Sequence, residues 1–435
     1  MKKFILNIFN PILIFSNIKQ IKKLNFLFTI SIIFVFITNI LKTQTFDEIE
    51  LFDGIVPLYS YGIDTTGHWW AITEPFSNRY RVIIDKKESM VFDDISRIIF
   101  APGGKSWGYF GSISGNIYII DEQKETLLEG ATDFGEITFS PDGTQRAYSY
   151  FKVNMEIIQL PFKTIEVQNR TSNLFIDNTG LSFAFIANRL NMQVININGI
   201  ETSGYNEIKP IGFWHTGEFI YAIRNGNIWD IMQGKKKLGD SFAKIIDAKI
   251  NNTGTVMAVL VQLNTGKCMS IMFSEEYTDP IYGKNYNYTW GLSLHPIYPL
   301  IGFIATDASA RTYVVQNHTE YYTEGDISIP FYSYDGEELI FIDEGNFNPY
   351  LNINGRRHPV YLEISTETPI AKKPKSSTFA YSTATTLLVQ YYEQNKYYTG
   401  FMTDNTSETI WNWRTEEYQT LGNIRDRLYL IKCKP

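Results

Sequence analysis

The chain has 435 residues, 44% hydrophobic and 20% charged, with 30 glycines and 16 prolines, enough to bury one or more sizeable cores and outside the range of disordered or collagen-like chains. Its formal charge is −7, and six lysines (Lys2, Lys3, Lys19, Lys22, Lys23, Lys42) with no acid stand in the first 42 residues, so the body is more acidic still and no partner for nucleic acid. Two cysteines, Cys268 and Cys433, make neither a disulfide framework nor a zinc site.

In chain order, residues 1–23 form a basic segment expected in the cytoplasm. Leu24 to Leu41 is uncharged over 18 residues, about 27 Å as a helix, and reads as a transmembrane signal anchor. Lysines precede it and Asp47, Glu48 and Glu50 follow it, which places the rest of the chain outside the cytoplasm, in a periplasm or at a cell surface. No small-residue cleavage site ends the stretch; a cleaved, secreted form is the alternative. Residues 42–51 read as a short linker and 52–435 as one β domain.

That domain is a succession of short β-type runs separated by turn residues. A recurring frame, best seen as ITFSPDGTQRAYSY (Ile137 to Tyr150), places a turn between two apolar runs. Its turn glycines are Gly67, Gly104, Gly143, Gly180, Gly217 and Gly254, at steps of 37, 39, 37, 37 and 37; Tyr298, Gly336 and Ser376 hold the same place in degenerate copies. A fixed period means stacked units. Four residues past the anchor stand Ala71, Gly108, Ala147, Ala184, Ala258, Gly302 and Ala380, with Tyr221 and Ile340 as large exceptions. Small side chains there admit a neighbouring sheet, while the third and fifth places (Trp70 and Ile72, Phe183 and Phe185) fill the opposite layer. About four strands per unit predict a single closed all-β propeller of eight or nine blades. The terminal TLGNIRDRLYLIK is expected to pair near VPLYSYG (Val56 to Gly62) and close the ring.

FSPDGTQRAY (Phe139 to Tyr148) resembles the WD40-like repeat of TolB-type β-propellers, and FAPGGKSWGY matches it with two changes in the turn. The resemblance covers the blades alone and implies a fold, since such propellers serve as scaffolds, peptidase appendages and enzymes. No Gly-x-Ser-x-Gly elbow occurs: Gly111 to Gly115 carries Ile113 where the nucleophile belongs. No catalytic, metal-binding or cofactor-binding residue is expected. Asp64, Asp142, Asp177 and Asp335 sit in turns and read as turn makers. The expected function is a membrane-anchored scaffold binding a protein, peptide or glycan, with an extracytoplasmic hydrolase or lyase acting on sugars or lactones as the alternative. The expected contact residues, all near equivalent turns and hence one rim, are His68, Trp69, His215 and His295.

Overall fold

The structure, a computed structural model, describes residues 46–435 other than 55–56, 334, 346–348, 361–363 and 393–395. The proposed membrane segment 24–41 lies outside the described residues, among which no helix is long and apolar enough to cross a membrane. Residues 46–435 form a compact unit of antiparallel sheets, one per repeat. Blades 1 to 9 occupy 58–92, 94–127, 133–167, 175–201, 207–242, 244–282, 288–322, 331–359 and 371–399. Each runs in meander order from an inner strand, entered from the previous blade, to an outer one.

A tenth blade corrects the expected count of eight or nine. Its inner strand is split (Asn405–Thr406 and Ile410–Asn412), Glu417–Ile424 and Arg427–Cys433 follow, and its outermost strand is Phe46–Phe52 from the other end of the chain. The register runs from Phe46 opposite Cys433 to Phe52 opposite Leu428. Most of the stretch read as a linker is thus a strand. The terminal hairpin closes on it, whereas Leu58–Ile63, which takes up most of the segment expected to receive it, opens blade 1. The tenth turn escaped the glycine period because Thr415 holds the anchor place and Glu416 takes the positive φ of 54°.

Ten buried clusters join the ten blades, each across one interface. Phe183 and Phe185 of blade 4 pack on Ala147 of blade 3, Phe219 and Tyr221 of blade 5 on Ala184, and Phe303 of blade 7 on Ala258. The last two clusters close the circle: Tyr418 of blade 10 packs with Ala380 of blade 9, and Leu421 and Leu428 with Trp69 and Ala71 of blade 1. The small residue works as expected, leaving room for the next blade's aromatics. At Gly302 even a Cβ would stand 2.8 Å from Leu339 Cδ1.

Blades 1 and 5 depart from the frame by one residue. Their turns close from Asp64 N to His68 O and from Trp214 N to Glu218 O, one residue tighter than Ser140 N to Gln145 O or Asp177 N to Ser182 O elsewhere. Alternation then shifts by one. In blade 5, Phe219 and Tyr221 take the aromatic places, stacked at 6.3 Å, which explains why Tyr221 is large. In blade 1, Trp69 and Ala71 face blade 10 while Trp70 and Ile72 face blade 2.

Candidate functional site

Seven of the ten anchor turns share a device three residues upstream, where a side-chain acceptor takes turn N–H groups; Ala101, Trp214 and Lys373 hold that place in blades 2, 5 and 9. Asp64 Oδ1 accepts from Thr66 N at 2.9 Å and His68 N at 2.7 Å, Ser140 Oγ from Gln145 N, Asp177 Oδ1 from Ser182 N and Asn251 Oδ1 from Thr255 N and Val256 N. Asn412 does the same in blade 10. In blade 7 the place belongs to His295, whose Nδ1 accepts from Ile297 N at 3.1 Å and Tyr298 N at 2.8 Å. An accepting Nδ1 puts the ring proton on Nε2. Asp142 and Asp335 also bind their own turns, through Thr144 N and Glu337 N. The turn acids are thus occupied with backbone, as expected.

Of the four expected contact residues, one is exposed, one half-buried and two buried. His68 is half-buried, with Nδ1 2.5 Å from Asp85 Oδ2 and its ring stacked at 6.4 Å on Phe100. His215, about one-third exposed, sits 3.2 Å from Glu275 through Nε2. His295 is fully buried, stacked on Tyr298 at 4.9 Å and edge-on to Tyr332 at 5.7 Å. Trp69 is 6% exposed inside the blade 10–blade 1 cluster and offers no surface to a partner. The three histidines do share the anchor-turn side but stand in blades 1, 5 and 7, and the fold does not gather them. Among the described residues no three His, Cys, Asp or Glu side chains group as metal ligands.

What the fold gathers instead is a cavity of about 860 Å³ over the inner strands of blades 10, 1 and 2. Ser60–Thr65 of blade 1 run along it, Arg97–Pro102 of blade 2 form one wall, and Ser407, Glu408 and Ile410 of blade 10 form the other. Trp70, with Ile72, reaches it from the second strand of blade 1. Gly62 makes this placement workable: a Cβ there would stand 2.8 Å from Trp70 Cε2 and Cζ2, so the indole can lie across the inner strand only over a glycine.

The inner strands break where the walls form. In blade 2, Ser96 Oγ accepts from Phe110 N at 2.8 Å, replacing a ladder carbonyl, and in blade 10 Ser407 Oγ accepts from Leu421 N at 3.0 Å. Ser172 and Ser328 repeat this with Ile186 N and Ile342 N in blades 4 and 8. All four serines stand eight residues before their anchors, a column the sequence reading missed. Blade 1 has a bulge between Leu58 and Ser60 at the same level. Such breaks re-aim side chains; here the next residues, Ser60, Arg97 and Glu408, line the cavity.

No family model and no curated protein matches the sequence. Solved structures similar to it include a crystal structure of the eukaryotic initiation factor (11% identity, TM-score 0.44, covering 74% of this chain and 96% of that one). The Dos1 propeller is similar at 11% identity and TM-score 0.38, over 78% of this chain and 92% of its own. TolB from Acinetobacter baumannii has 11% identity and TM-score 0.30, over 66% and 80%. These likenesses are distant; by its own ten antiparallel sheets the chain is a β-propeller.

Proposed function

We propose that this propeller is a binding scaffold holding a protein, peptide or glycan partner in the cavity between blades 10, 1 and 2. The observation that carries the reading is the cavity itself: apolar and aromatic walls (Ile63, Trp70, Ile72, Ile98, Phe100) with a few polar groups, the usual make-up of a recognition site. The extracytoplasmic hydrolase or lyase reading has less support, because the turn acids serve their own turns and the histidines stand blades apart. We propose further that residues 24–41 anchor the propeller outside the cytoplasm, a reading supported by the lysines before them and the acids after them.

The test is affinity capture from membranes with the full chain in detergent. Trp70→Ala should abolish capture of a stable partner, and His215→Ala, remote in blade 5, should not. Equal capture by both variants counts against the cavity. Turnover of a glycan or lactone library that is lost with a cavity carboxylate would replace the scaffold by an enzyme. Protease added to spheroplasts should digest the propeller and spare the first residues; full protection reverses the topology.

A further inference from the structure

The cavity is lined by three side chains charged near neutral pH, Asp64, Arg97 and Glu408. Asp64 is already occupied, its two oxygens holding the Thr66 hydroxyl at 2.9 and 2.7 Å besides the two turn amides. Arg97 and Glu408 differ. Both are exposed, and among the described residues neither the guanidinium nor the carboxylate has a hydrogen-bonding or ion-pair partner. Arg146 and Arg224, by contrast, hold Asp121 at 2.6 Å and Glu207 at 3.0 Å. Arg97 and Glu408 occupy the same repeat place, seven residues before the anchor, in the two blades flanking blade 1. The place between them is held by the neutral Ser60. They form no ion pair with each other, and the apolar floor of Trp70, Ile63 and Ile72 lies with them in the same cavity.

We infer that the cavity takes a short zwitterionic peptide with a bulky apolar side chain: its terminal carboxylate pairs with Arg97, its terminal ammonium with Glu408, and its side chain covers Trp70. This rests on the scaffold reading above and names its ligand. A simple anion or cation would pair with only one of the two wall charges, and a neutral sugar with neither. A carboxylate suits the planar guanidinium fork, and an ammonium suits a carboxylate acceptor. Each of the two stands one residue past an inner-strand break, at Ser96 and at Ser407, where the serine hydroxyl accepts a backbone N–H.

The test is isothermal titration calorimetry of the full chain in detergent with the tripeptide Ala-Phe-Ala, its N-acetyl form and its C-terminal amide. Ala-Phe-Ala is expected to bind, and either blocked form to bind about 10- to 100-fold more weakly, the loss of one charge-assisted contact. Arg97→Gln should weaken Ala-Phe-Ala by the same factor and leave the amide unaffected. Glu408→Gln should weaken it likewise and leave the N-acetyl form unaffected. Both side chains are exposed, so unchanged melting curves will show the variants folded. Equal binding of all three peptides, or binding indifferent to both variants, overturns the inference. If Ala-Phe-Ala does not bind while Trp70-dependent capture of a partner persists, this ligand is wrong and the scaffold reading stands; if capture is also indifferent to Trp70, both fall.

Discussion

Replacing His295 by alanine tests whether the anchor turns depend on their upstream acceptor. Two N–H groups, of Ile297 and Tyr298, lose their partner. Those two residues are about half exposed, so water reaches the turn, and each lost bond costs about 1 kcal/mol rather than the larger penalty of full burial. The imidazole also fills the space between Tyr298, Tyr332 and Gly336, whose Cβ would stand 2.5 Å from Nε2. Emptying that fully buried site adds about 3 kcal/mol. The sum, about 5 kcal/mol, is a large part of the 5–15 kcal/mol typical of a folded domain. His295→Asn restores an acceptor and should recover part of the loss. His215→Ala removes only an exposed pair with Glu275 and a tilted contact with Trp214, worth about 0.5 kcal/mol. The assay is urea unfolding by tryptophan fluorescence, compared by midpoints because a ring of ten blades need not unfold in two states, with amide hydrogen exchange at Ile297 and Tyr298. If His295→Ala unfolds at the same urea concentration as His215→Ala, or if exchange at the two amides is unchanged, the turn-cap reasoning is wrong.

Removing residues 1–44 keeps the strand Phe46–Phe52 and should yield a monomer, whereas removing 1–52 bares the edge of Arg427–Cys433 and should shift light-scattering mass to higher species; a monomeric 53–435 would deny the closing role of that strand. Stability should also fall in acid. Burial raises the Asp121 carboxyl, but the Arg146 guanidinium at 2.6 Å and the N–H groups of Lys124 and Gln123 outweigh it, and the net shift is downward; Asp142 and Asp230 are also lowered. A depressed folded value gives stability that is present above the unfolded carboxylate value of about 3.9 and lost as pH falls through the folded one. Unfolding midpoints should therefore be flat from about pH 7 to 5 and drop below about pH 4, with a shallower drop in Asp121→Asn; a midpoint that rises on acidification refutes the sign.

Much of the blade architecture could be read from single columns of the repeat. The turn glycines and the small residue of the second strand obey local rules, a positive φ in one case and a packing gap in the other, and local rules leave a period. The role of His295 was open to the same reading, since Asp64, Ser140, Asp177 and Asn251 occupy its column, but a histidine there invites thoughts of ligands before turns. That Trp69 is buried was hidden for a different reason. Alternation separates the two, and which of them is buried between blades 10 and 1 depends on a turn one residue tighter, seen only in the hydrogen bond from Asp64 N to His68 O.

By itself, then, the sequence determined the class of fold, the blade period and the chemistry of the turns, because each depends on residues within one repeat of about 40. The tertiary structure alone decided three things: that a tenth blade exists, that residues 46–52 complete it, and that Arg97, Trp70 and Glu408 share one cavity. Each joins segments that only ring closure brings together, and closure is the summed result of ten interfaces that no single repeat encodes.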